Sequence, residues 1–383
     1  MTIRIANKGG NHGKKWRTRL KEEAMGKRLS RRKFLQVAAG SPWAGAVTLC
    51  AGSGALPSVR GPFRGTLCLF SKPVPQLTWQ ELAQSAKRAG FAGIDLTVRR
   101  GGHVAPQRAA EDLPRAVAAI RAEGLEVPMI TTELVSSRDP TAVPILTTAA
   151  KLSVPFLKPG YYHYKFVDVR KELAQACNQF RGLVELAQKC GVQVGFHNHA
   201  RYVGAQTWDI ARAMDALDPK WAGYYYDLEN AAAEGGAEGW RIAANLVMPR
   251  MKMMAVKDFY WRKPERKGWE ETTCPLGEGM CKYKDFLRMA AEGGFHGPIS
   301  LHIEYQIPGV SDDQGIALSR EKDSEVMAAA KRDLDTLKSL LRQAYEGGWP
   351  GSEAGCRYWA RNGRKRLTIE KHRGPRRTLT ELT

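Results

Sequence analysis

The 383-residue chain has no C-x-x-C pair among its 7 cysteines, no G-x-G-x-x-G after its first strand-like run, and no apolar stretch as long as a membrane span. Each absence removes a class of protein. A zinc ribbon or finger needs paired cysteines at short spacing. A dinucleotide site wants the glycine fingerprint at the first strand-to-helix turn, and a transmembrane helix takes about 20 consecutive apolar residues. The cysteines (50, 68, 177, 190, 274, 281 and 356) read as buried or incidental thiols, with Cys274 and Cys281 placed to close a loop disulfide in an oxidising compartment.

Acidic residues are scarce at the two ends. Residues 1–60 carry 13 Lys+Arg against 2 Asp+Glu, residues 347–383 carry 9 against 3, and residues 61–346 carry 37 against 34. The net charge of +20 therefore belongs to the tails, and the near-neutral middle offers no electrostatic footprint for nucleic acid. Ser30-Arg31-Arg32-Lys33-Phe34-Leu35, followed by a weakly apolar Ala/Gly-rich run to Ala55, resembles a twin-arginine export signal. Met25-Gly26-Lys27 sits where such signals begin. The expected organisation is an extension and export signal over 1–55, a folded domain over 66–346, and a basic, apolar-poor, disordered tail over 347–383.

Between the tails, short apolar runs alternate with longer amphipathic ones, the pattern of parallel strands joined by crossover helices. Eight runs read as strands: Leu67–Phe70, Gly93–Val98, Val127–Thr131, Phe156–Lys158, Val192–Phe196, Gly223–Tyr226, Met251–Val256 and Ile299–Ile303. Helical spacing marks Trp79–Ala89, Asp112–Ala122, Val169–Lys189, Asp209–Leu217, Tyr283–Ala291 and Arg320–Tyr345, with Gly90, Gly124, Gly191 and Gly294 as stops. Eight such units in about 280 residues predict a (β/α)8 TIM barrel, with its chemistry at the carboxyl ends of the strands.

Several strand ends carry polar groups. Positions two apart on a strand share a face, so His197 pairs with His199, Ala255 with Lys257, and His302 with Glu304. If the later members lie at the mouth, His199, Asp227, Lys257 and Glu304 converge, a set suited to acid/base work or to Zn, Mn or Fe. Around them, Lys72, Arg99, Glu133, Lys158, Tyr161 and Tyr162, with Trp261, form the expected rim of a pocket for a polyhydroxylated ligand. Of Tyr224, Tyr225 and Tyr226, at least one must pack in the core, because consecutive strand residues cannot all face a pocket.

Local matches then accumulate: Gly90-Phe91-Ala92-Gly93-Ile94-Asp95, Phe196-His197-Asn198-His199, Tyr226-Asp227, Val256-Lys257-Asp258, Pro275-Leu276-Gly277-Glu278-Gly279 and Ile303-Glu304-Tyr305. In this order the chain resembles the xylose-isomerase-like barrels, the superfamily of sugar (phosphate) isomerases and epimerases that also contains endonuclease IV. The resemblance implies one divalent metal (Mn, Zn, Fe or Mg) held by Glu, Asp, His and Glu from strands five to eight, and proton transfer beside a carbonyl. Asp227 matches the Asp, but His197 stands at the first Glu and Ala255 at the His. The expectation is a metal site rebuilt from His197, Asp227 and His302, with His199 also in reach, and with His199, Lys257, Glu304 and Glu133 as catalytic groups. Lys158, Arg99, Tyr162 and Trp261 are expected to bind substrate. The eight histidines are not placed for the three-zinc site of the endonuclease relatives.

The expected activity is that of an exported sugar isomerase or epimerase. A keto-glycoside eliminase and a non-catalytic sugar-binding barrel are the alternatives. The expected partners are a small carbohydrate and the export machinery, with no nucleic acid and no stable membrane span.

Overall fold

A computed structural model describes residues 61–265 and 268–347. The segment expected to be an export signal, residues 1–55, and the basic tail lie outside the described residues.

The eight expected strands form a closed parallel barrel. In chain order the elements are β1 (Leu67–Phe70), α1 (Trp79–Ala89), β2 (Gly93–Val98), α2 (Ala109–Ala122), β3 (Glu126–Thr132), α3 (Ala142–Lys151), β4 (Phe156–Lys158), α4 (Val169–Cys190), β5 (Gln193–His197), α5 (Trp208–Asp215), β6 (Ala222–Asp227), α6 (Leu228–Val247) and β7 (Met251–Val256). A hairpin follows, β8 (Asp258–Arg262) and β9 (Glu270–Cys274), then α7 (Tyr283–Glu292), β10 (Ile299–Leu301) and α8 (Asp323–Tyr345). Around the barrel the order is β1-β10-β7-β6-β5-β4-β3-β2, all parallel, with the antiparallel β8–β9 pair apart.

Local chemistry sets the helix ends. Thr78 caps α1 in a reciprocal box with Glu81, each side chain taking the other's backbone N–H. Gly90 ends that helix at φ 94°, a left-handed position where a Cβ is strained, and its N–H reaches the carbonyls of Ala86 and Lys87. Helices α3 and α6 were not among the helices named from spacing. Helix α6 includes a break at Gly236 (φ 63°), which blurs its repeat.

Alternation along the strands divides the core in two. Leu69, Ile94, Leu96, Ile130, Leu157, Val194, Phe196, Tyr224, Tyr226, Met254, Val256 and Leu301 pack outward in one large apolar layer with the helices. Met129, Tyr225, Met253 and Ala255 form a second, small cluster, which the alternation places inside the barrel. Gly195 makes room for it, since a Cβ there would collide with the Met253 side chain. Of the three consecutive tyrosines, Tyr225 is thus the inward one. Among the described residues no helix is long and apolar enough to cross a membrane. Cys274 and Cys281 are free thiols rather than a disulfide.

Candidate active site

The inward-facing residues turn from apolar to polar toward the strand ends. At the inner level Tyr225 crosses from β6 to β2 on the opposite wall, donating its hydroxyl to Asp95 Oδ2 at 3.2 Å and meeting His302 Nε2 at 3.0 Å. Asp95 also takes bonds from Ser300 Oγ and Thr131 Oγ1, both at 2.8 Å. Burial pushes the Asp95 carboxyl up, against these donors and the nearby His302.

One level higher, Asp227 closes β6 and caps α6. Its Oδ1 accepts the Asn230 N–H at 3.2 Å, and its Oδ2 accepts Asn230 Nδ2 at 2.6 Å and faces His197 Nε2 at 3.3 Å. The Asn198 side chain fixes the same residue through its backbone, donating to the Asp227 carbonyl at 2.9 Å and accepting its N–H at 2.8 Å. Burial alone would raise the Asp227 carboxyl, but Lys257 and His197 pull it down to about 2. Burial lowers His197 to about 3, so the ring is neutral at pH 7. Its Nε2–H then points to Asp227, and its Nδ1 accepts from the Tyr161 hydroxyl at 3.2 Å.

Lys257 is the hub. Its Nζ lies 3.2 Å from Glu229 Oε2, 3.2 Å from Glu304 Oε2 and 3.7 Å from Asp227 Oδ2, with its side chain only 6% exposed. Burial favours the neutral amine, but Glu229, Asp227 and Glu304 outweigh it and hold the ammonium charged. Lys72 meets Glu304 from the other side at 2.6 Å. Despite burial, Lys257 and Lys72 keep the Glu304 carboxyl well below the usual carboxylate range. Glu229 is fully buried, neither carboxyl oxygen has a hydrogen-bond partner among the described residues, and burial pushes it well up against the attraction of Lys257.

His199 stands at the mouth. Its Nδ1 lies 3.0 Å from the Ala200 carbonyl, which can only accept, so Nδ1 carries the hydrogen. Burial and Lys257 lower the ring to about 4, leaving Nε2 as a free lone pair at neutral pH. His199, Lys72, Lys257, Glu229, Glu271 and Glu304 line one cleft of about 270 Å³. Trp261 stands opposite Glu271 on the hairpin, on the face that also presents Thr273, another lining residue. A larger groove of about 980 Å³, bordered by Tyr260, Arg262 and Glu270, adjoins the cleft and shares Glu271, Thr273, Asp313 and Gln314 with it. It holds no residue of the Lys257 cluster.

The expected residues divide accordingly. Asp227, Lys257, His199, His197, His302 and Glu304 come together. Lys158 is close, buried, with Nζ 3.6 Å from the centre of the Tyr161 ring. Arg99 lies over Phe70, which stacks on His302 at 4.2 Å. Glu133 is exposed and accepts the Arg100 N–H instead. Tyr162 faces away, stacked on Phe196 in the outer apolar layer.

Of the expected metal ligands His197, Asp227 and His302, the two ring centres are 6.3 Å apart; His197 Nε2 and the Asn230 amide turn onto Asp227 Oδ2, His302 Nε2 meets the Tyr225 hydroxyl, and His302 Nδ1 has no hydrogen-bond partner among the described residues. Among the described residues no group of three or more His, Cys, Asp or Glu could hold a metal ion. Glu229, Asn230 and Glu271 were not foreseen. The Asp227-x-x-Asn230 cap was the one visible signal, since it puts Glu229 in the first turn of α6 at the mouth.

A profile of the xylose isomerase-like TIM barrel matches residues 83–340. Among solved structures, a xylose isomerase domain protein from Planctomyces limnophilus is 16% identical, with 73% of this chain and 99% of that one covered, at a TM-score of 0.54. D-psicose 3-epimerase with D-tagatose from Clostridium cellulolyticum H10 is 12% identical, covering 72% and 99%, at 0.54. A xylose isomerase-like TIM barrel protein from Mycobacterium smegmatis in complex with magnesium is 17% identical, covering 72% and 98%, at 0.51. At these identities the likeness is one of fold. No curated protein sequence matches the chain. With more than half of its length matched by the profile, the chain belongs to the xylose isomerase-like TIM barrel family.

Proposed function

We propose that the protein is a sugar isomerase or epimerase, moving a proton on a carbon next to a carbonyl of a small, unphosphorylated carbohydrate. The observation that carries this reading is one cleft lined together by His199, whose Nε2 holds the ring's lone pair, and by Lys72 and Lys257. A carbon acid beside a carbonyl needs those two things, a base for the C–H proton and positive charge for the oxygen that becomes enolate-like. Glu229, whose carboxyl burial pushes up, is the partner acid. Glu304, pinned between two lysines, is too weak a base for the role and instead orients them. The fold shared with sugar 3-epimerases supports the same chemistry.

Incubation with a panel of aldoses and ketoses in D2O tests the reading. Deuterium entering beside the carbonyl, at a rate cut by roughly 10²–10⁴-fold in His199→Gln, is expected. Exchange into none of the panel counts against it.

A second reading has one observation of its own. Trp261 is 39% exposed on the hairpin face that also presents the cleft residues Glu271 and Thr273. The same proton abstraction, on a keto-glycoside, would expel the group stacked there, and release of an aglycone separates this eliminase reading from the first. Export through the twin-arginine route is part of the proposal, and it suits unphosphorylated substrates. A reporter fused after residue 55 and found outside the cytoplasm only when Arg31 and Arg32 are intact is the test.

A further inference from the structure

The family resemblance brings with it a divalent cation, and the donor set here disagrees. Three carboxyl groups, Asp227 and Glu229 from the β6–α6 junction and Glu304 from beyond β10, converge on a single Nζ at 3.2–3.7 Å. Buried carboxylates need compensating positive charge nearby, and here a side chain supplies it. Below Lys257 on the same face, Ala255 sits in register with Asp227, so β7 presents a methyl group where a ligand atom is needed. His197 Nε2 and the Asn230 amide are already turned onto Asp227 Oδ2.

We infer that Lys257 is a built-in cation that takes the place of a divalent metal, so that the carboxyl cluster is complete without one. A divalent ion entering the cluster would meet the Lys257 ammonium as a like charge, and Lys72, already on Glu304, adds a second. Conversely, removing the Lys257 amine leaves Asp227, Glu229 and Glu304 around a vacated cation position, with oxygen donors of the kind Mg²⁺ and Mn²⁺ prefer. This inference concerns charge and coordination alone, so it stands or falls apart from the proton-transfer reading.

The test is cation uptake by the full chain, measured by equilibrium dialysis with elemental analysis and by calorimetric titration with MnCl2. The unsubstituted protein is expected to show no saturable Mn²⁺ or Mg²⁺ uptake and the same melting temperature in EDTA as in MnCl2. Lys257→Ala is expected to take up one Mn²⁺ per chain, lost again in the Lys257→Ala/Asp227→Asn double variant. A stoichiometric metal in the unsubstituted protein, or a melting temperature that rises with Mn²⁺, overturns the inference. So does a folded Lys257→Ala that takes up none. If Lys257→Ala does not fold, the dialysis and melting measurements on the unsubstituted protein decide alone.

Discussion

Replacing Lys158 by Met removes an amine that is 2% exposed at the carboxyl end of β4. Burial, with Arg99 nearby, lowers this lysine from 10.5 to about 7. From pH 7 to 10.5 the unfolded chain keeps a proton that the folded chain has released. Unfolding therefore takes up a proton, and stability rises with pH across that window. Below pH 7 both states hold the proton, and the full cost of the buried charge is present. At about 1.4 kcal/mol per factor of ten, the gap amounts to roughly 5 kcal/mol. The Tyr161 ring, 3.6 Å from Nζ, favours the charged form and returns about 1 kcal/mol. Urea unfolding of both proteins at pH 7 and pH 9.5 should show the wild type gaining about 2–3 kcal/mol relative to Lys158→Met. At pH 7 the variant should be the more stable protein. Parallel stability curves would mean that the amine is solvated or paired, and would refute the buried, unpaired Lys158 at the carboxyl end of β4.

Other outcomes follow from single contacts. Asn198→Ala strips both partners from the buried Asp227 backbone and should cost about 2–4 kcal/mol in urea unfolding; a loss under about 0.5 kcal/mol would show that the backbone finds new partners. Asp258→Ala removes the acceptor for the N–H groups of Phe259, Gly277, Gly279 and Cys281. It should make the 275–281 loop the first site of proteolytic nicking, and unchanged cleavage would contradict this. His199, lowered to about 4, is the active base when neutral, so proton exchange should be flat near pH 7 and fall only as pH drops through about 4. A midpoint near 6.5 would mean that the ring is solvated.

Much of the barrel was legible because each parallel strand, buried on both faces, reads as a short apolar run ended by a polar residue, as in Val194 to His199 and Met254 to Lys257. The alternation also fixed which residues share a face, and His302 with Glu304, like His197 with His199, meets in the cluster. The departures have physical causes. The β8–β9 hairpin stands apart from the barrel and α6 is interrupted at Gly236, whereas α3 does carry apolar residues at helical spacing, Ala142, Ile145, Leu146 and Ala149, and was passed over. Glu133 and Tyr162 follow strand ends in sequence, but a short loop turns one to solvent and the other onto Phe196. Glu229 and Glu271 reach the cleft from a helix turn and an inserted hairpin, places a strand pattern does not describe. That Lys257 would sit among three carboxyl groups depends on side-chain directions across β6, β7 and β10, which no local pattern encodes.

The central claim joins a carbon-acid reaction to a lysine-centred cluster, and one experiment addresses both halves. Full-length protein dialysed against EDTA is incubated with reactive sugars in D2O, and deuterium beside the carbonyl is followed by NMR, with and without added MnCl2. The account predicts exchange that survives chelation, gains nothing from Mn²⁺, and is lost in His199→Gln. Exchange abolished by EDTA and restored by Mn²⁺ would contradict the lysine-centred cluster, and no exchange under either condition would contradict the proposed reaction.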